Sequence, residues 1–153
     1  WCAATLLSMI GLFNIFGTLT SGYLSSKFPK KLVLSFIYFA RGIVIALFIF
    51  LPSSPTLAVL FGITFGFLWL ATVPPTAGLV SFIFGTKYMG LLYGIVFLSH
   101  QVGSFFGAYL GGVFKEVYGS YDYAWYVSIA LSIFAGLIHL PIKEKQVKRL
   151  QIA

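Results

Sequence analysis

Residues 27–55 read KFPKKLVLSFIYFARGIVIALFIFLPSSP. Between the Lys cluster and Pro52, residues 32–51 carry a single charge, Arg41. An apolar run of about 20 residues is what an α-helix needs to cross a ~30 Å hydrocarbon core. Its borders, Lys27, Lys30 and Lys31 before it and Pro52-Ser53-Ser54-Pro55 after it, are a charged membrane edge and a turn.

The rest of the chain repeats this grammar. It has 153 residues, 59% hydrophobic and 8% charged, with a formal charge of +7. A soluble domain carries about 25% charge, and so few charges cannot dress the water-facing surface of a domain this small. A nucleic-acid binder would need its basic residues on one polar stripe, whereas here they lie between apolar runs. One Cys excludes a disulfide framework and a Cys-based zinc site. There is no HExxH, GxSxG or Gly-rich phosphate loop, and no pair of acids inside a run. No catalytic residue, metal site or cofactor is therefore assigned, and the chain is not expected to be an enzyme.

Five expected spans follow: about 3–25, 32–51, 56–84, 88–114 and 123–142, with a basic tail at 143–153. The third is near 29 residues, or about 44 Å at 1.5 Å per residue, too long for one straight crossing. A kink or break at Pro74-Pro75 would absorb the excess. Alternate connections sort the charge. Lys27, Lys30, Lys31, Lys87, Lys143, Lys145, Lys148 and Arg149 fall on one side and Lys115 on the other, so the first side and the C-terminus are expected in the cytoplasm. Trp1 is preceded by no Met or leader, and an odd number of spans argues for further spans upstream.

Polar groups inside spans need partners. Arg41 lies about 15 Å from either end of its run, where an Arg costs about 2.5–3.5 kcal/mol on insertion scales. All three acids, Glu116, Asp122 and Glu144, lie outside the spans. The partner of Arg41 is then a carbonyl or neutral side chain, an acid from upstream spans, or an anionic solute. His100 and Gln101 form a second mid-span pair. His100 shares a face with Gly103, Gly107 and Gly111, and an imidazole there suits either proton coupling or a helix-to-helix tie. The Gly103, Gly107, Gly111 stripe invites close approach of another helix. Gly11, Asn14, Gly17, Thr18 and Ser21 share a face of the first span that reads as a cavity or close contact. Trp69 is the best cavity-lining aromatic, while Trp1 and Trp125 are divided between interface and cavity.

Two stretches carry a family resemblance. Gly22-Tyr23-Leu24-Ser25-Ser26-Lys27-Phe28-Pro29-Lys30-Lys31 resembles the G-x-L-a-D-r/k-x-G-r/k-r/k loop of the major facilitator superfamily, in the version between its eighth and ninth helices. Ser26 stands where the motif has Asp and Pro29 where it has Gly. Gly85 to Gly90, Leu92 to Phe105, Gly111-Gly112 and Gly119 to Asp122 resemble the tenth-to-twelfth-helix region of bacterial carriers similar to monocarboxylate porters. Lys115 stands where those relatives commonly have Asp.

The resemblance implies an all-α polytopic bundle, helices eight to twelve of a twelve-helix fold in a bacterial inner membrane, whose N-terminal half is its partner. It further implies a secondary carrier of a small organic solute, with a monocarboxylate the expected class and proton coupling open. Such carriers work by alternating access with the solute at the midplane. The tenth helix would line the cavity, the eighth and eleventh would gate it, and the ninth and twelfth would be peripheral. Related oxalate and formate carriers bind carboxylate through a Lys in the eleventh helix; this chain has His100 nearby and no Lys inside that span. The alternative is a non-transporting membrane scaffold that holds a partner through its Gly faces.

Overall fold

The computed structural model describes residues 2–147, so Trp1, Lys148 and Arg149 lie outside the described residues. Within them are six α-helices and no strand: α1 (Cys2–Lys27), α2 (Lys30–Phe50), α3 (Pro55–Trp69), α4 (Val73–Phe84), α5 (Met89–Tyr118) and α6 (Asp122–His139). Four segments are long and apolar enough to cross a membrane: Ala4–Lys27, Lys30–Phe50, Pro55–Phe84 and Met89–Tyr118. The third of these is α3 and α4 in succession. The molecule is an all-α bundle of membrane-spanning type.

Helix ends follow local chemistry. Ser54 caps α3 by accepting from the Leu57 amide at 3.1 Å, and Pro55 occupies the first turn, where its missing N–H costs nothing. Gly119, at φ +72°, ends α5 in the left-handed region and donates to the Lys115 carbonyl at 3.0 Å. That cap lies beyond the expected end at residue 114, so Lys115 and Glu116 are helical rather than in the loop. At the other end of the chain α6 stops at His139, with Pro141 unable to continue it. Its 18 residues span about 27 Å, and it is not among the four segments that qualify by length and composition.

Close packing is carried by glycines in two helix pairs. α1 and α3 run parallel at an offset of 56 residues, with Asn14 beside Leu70. A Cβ built on Gly17 would collide with the Phe67 carbonyl oxygen, and one on Gly66 would lie 2.6 Å from Ile10 Cα. Only residues without a side chain allow backbones so near. α2 and α6 pair antiparallel: Ser35 Oγ donates to the Gly136 carbonyl at 2.7 Å, Gly42 faces Ser132, and Phe39 lies over Gly136. Phe48 and Phe61 stack at 4.1 Å, with Trp125 edge-on to both.

The segment after α6 folds back across the ends of α2 and α4. The Glu144 carboxylate accepts from the Lys31 amide at 2.7 Å, Lys31 Nζ donates to the Leu140 carbonyl at 3.1 Å, and the Val147 amide donates to the Ile83 carbonyl at 2.8 Å. Lys27, Lys30, Lys31, Lys87, Lys143 and Lys145 thus gather around one end of the bundle. A carboxylate at the start of a helix meets both free N–H groups and the positive end of the dipole. Glu144→Gln keeps an acceptor but loses the charge, and should destabilise the full-length protein by roughly 0.5–1 kcal/mol. The expected readout is a lower Tm in detergent; an unchanged Tm would show that the cap contributes no stability.

Candidate functional site: an interrupted helix clamped from two sides

The interruption between α3 and α4 lies at residues 70–72, upstream of the Pro pair that was expected to mark it. The reason is covalent. A proline in a helix lacks the N–H and collides with the carbonyl four residues earlier. Pro74 and Pro75 therefore act on Leu70 and Ala71, and they themselves sit in the first turn of α4, where proline is tolerated. The backbone leaves the helical region, with Leu70 at φ −101°, ψ 8°, and the Leu70 carbonyl accepts from the Val73 amide at 3.0 Å.

A helix end leaves its last carbonyls without intrahelical donors. Here two side chains from other helices address that end. Arg41, from α2, donates through Nη2 to the Leu68 carbonyl at 2.6 Å and to the Trp69 carbonyl at 2.9 Å. Asn14, from α1, accepts from the Leu70 amide through Oδ1 at 3.1 Å. Three consecutive residues are thereby held from both sides. Arg41 also sits 5.4 Å from the Tyr38 ring centroid, and Tyr38 stacks on His139 at 5.2 Å. His139 belongs to α6, so this stack ties the column to α6, and its Nδ1 lies 2.6 Å from the Ala135 carbonyl one turn back. The cation faces the negative end of the α3 dipole, a favourable placement where no acid is at hand. Its Nε is buried without a partner among the described residues.

Trp69, the last residue of α3, is half-exposed and packs edge-on to Phe65 at 5.0 Å. Next to the interruption, an apolar cavity of about 240 Å³ lies between α1 and α2, floored by Phe67, Leu68 and Ala71 of the α3 segment. Of the first-span face, Gly17 and Ser21 are buried and line this cavity, Thr18 bonds the Asn14 carbonyl at 2.8 Å, and Gly11 meets nothing within 4 Å.

His100 and Gln101 are not part of this assembly. They lie on α5, none of whose residues is buried, and both are exposed. A Cβ built at Gly103, Gly107 or Gly111 meets nothing within 4 Å, so no described helix of this chain lies on the stripe. The close-packed glycines Gly62 and Gly66 were missed in the sequence, although their four-residue spacing is itself a GxxxG signal. Tyr38 and Glu144 gave no signal, since neither spacing nor motif marks a stacking ring or a distant cap. In the loop motif, Pro29 is the residue preceding α2, Gly22 packs against Pro74, and Lys30 lies 5.2 Å from the Phe82 ring.

A family model described as Major Facilitator Superfamily matches residues 3–151. The chain is 29% identical over 137 residues to an uncharacterized MFS-type transporter, YcxA, of Bacillus subtilis (strain 168), covering 86% of this chain and 33% of that protein. It is 27% identical over 139 residues to monocarboxylate transporter 12-B of Danio rerio, covering 89% of this chain and 29% of that protein. The chain thus spans about a third of the length of these relatives. No solved structure matches it significantly.

Proposed function

We propose, from the premise that this chain belongs to the Major Facilitator Superfamily, that it is part of a secondary transporter moving a small organic solute, a monocarboxylate, by alternating access with proton coupling. The observation that carries the reading is the family match over nearly the whole chain together with an interrupted span held by polar side chains at depth. Interrupted helices at the midplane are where carriers of several folds bind solute, because their backbone groups can be turned to a ligand. Support for the solute class comes from the name of the Danio rerio relative.

Trp69, His100 and Gln101 are assigned to the solute and proton path. Exposed polar groups in the middle of α5 are poorly suited to lipid and call for protein or a water-filled cavity as neighbour. The α5 glycine face is assigned to contact with the remainder of the full-length protein, and the basic end of the bundle to the cytoplasm of a bacterial cell. No bond-making chemistry is required of any residue.

The test is the full-length protein in liposomes, with labelled lactate, pyruvate and acetate. Proton-gradient-driven accumulation of at least one is expected, and His100→Ala is expected to remove the stimulation by the gradient. No uptake of any of the three overturns the monocarboxylate assignment. Uptake by His100→Ala with its proton dependence intact overturns the role of His100.

A further inference from the structure

We infer that Arg41 and Asn14 are positioning residues: they form a clamp that holds the α3–α4 interruption in one geometry, and they do not bind the solute. The inference deepens the transport reading and rests on it for its functional part, while its structural part stands on geometry alone.

An Arg mid-span in a chemistry of organic acids invites the role of carboxylate receptor, and hydrogen-bond accounting argues against it. A guanidinium has five N–H groups, and bidentate capture of a carboxylate needs two of them side by side. The available edges are Nη1 with Nη2 and Nη2 with Nε. Nη2, which belongs to both edges, is engaged by the Leu68 and Trp69 carbonyls, and Nε is enclosed. Neither edge is free. Asn14 is likewise turned to the backbone, with its carbonyl oxygen on the Leu70 amide.

What the two side chains do supply is what the interruption lacks. The break that Pro74 and Pro75 force turns the Val73 amide, the helical donor for Trp69, to the Leu70 carbonyl, and the last carbonyls of α3 must find donors in a medium with little water. Arg41 provides two donors from α2, and Asn14 provides an acceptor from α1 on the other side of the same turn. Gly17 lets the Phe67 carbonyl press against the α1 backbone immediately before it. Through Tyr38 and His139 the α2 side of the clamp continues to α6. The interruption is thus fixed to α1, α2 and α6 together, and it would enter any rocking motion as a rigid corner with Trp69 at its tip.

The experiment uses the full-length protein, with Arg41→Gln, Arg41→Lys and the milder Asn14→Leu. Amide hydrogen exchange of residues 68–73 is measured in nanodiscs and lactate uptake in liposomes. Arg41→Gln is expected to accelerate exchange at the interruption about tenfold or more, as loss of charged hydrogen bonds should. Asn14→Leu should do so by roughly threefold at Leu70. Arg41→Lys, whose ammonium can still donate to two carbonyls, should recover part of the protection. In uptake, Arg41→Gln should lower the maximal rate with KM for lactate within about twofold, the pattern of a residue that does not bind substrate. A KM raised about tenfold or more with the maximal rate retained overturns the inference in favour of a solute ligand. Unchanged exchange in both Arg41→Gln and Asn14→Leu overturns it whatever the uptake shows. Should none of the acids be transported by the parent protein, the monocarboxylate reading fails while the exchange result still decides the clamp.

Discussion

Gly17→Ala is expected to cost the full-length protein most of its folded yield. The added methyl would collide with the Phe67 carbonyl oxygen, a backbone atom, and is itself fixed to the α1 backbone. No rotamer change relieves it, so α1 and α3 must separate. Overpacking of this kind costs about 1–3 kcal/mol and sometimes more, and separation would also stretch the Asn14 bond to Leu70. Gly42→Ala is the matched control, because its methyl would meet Ser132 Cβ at 3.3 Å, a contact that a few tenths of an ångström relieve. Fluorescence-detected size-exclusion profiles of the two variants should differ clearly, with Gly42→Ala near the parent. Indistinguishable profiles would mean that α1 and α3 are not in backbone contact at Gly17.

Arg41→Glu should be the most damaging single substitution at the interruption. It removes both donors from the Leu68 and Trp69 carbonyls and points a negative charge at the negative end of α3. The part-buried Leu68 carbonyl left unpaired costs about 1–3 kcal/mol, and desolvation of the unpaired carboxylate adds to that unless it takes up a proton. The expected result is aggregated or degraded protein, against a monodisperse though destabilised Arg41→Lys. A Tm for Arg41→Glu within about 2 °C of the parent, equivalent to less than ~1 kcal/mol, would rule out the carbonyl contacts.

Apolar runs were legible because membrane crossing needs one property, an uninterrupted apolar length, which a linear reading detects; among the described residues four segments meet it where five spans were expected. The break in the third span was legible in kind but displaced in position, since the steric effect of Pro74 and Pro75 is felt at Leu70 and Ala71. Arg41 stood out as a charge without a carboxylate, yet three kinds of partner stayed open. The pairing with Leu68 and Trp69 depends on how α2 crosses α3, which no periodicity encodes. Glycines show the same limit. The Gly103–Gly107–Gly111 stripe is the densest in the sequence, but spacing alone does not say where the facing helix comes from. Gly17 and Gly66, less conspicuous, make the closest backbone approaches between described helices.

The Glu144 contact with the Lys31 amide joins residues 113 positions apart. A ribosome supplies Lys31 long before Glu144, so during synthesis α2 enters the membrane with its first turn unsealed. The same holds for its partner helix, since Gly136 and Ser132 must also be made before the α6-facing side of α2 has a surface to lie against. Insertion of the early helices and completion of their packing are therefore separate events in time. The second waits on the synthesis of residues 132–144, so a nascent chain stalled before residue 144 should present a start of α2 that quality-control proteases can still reach.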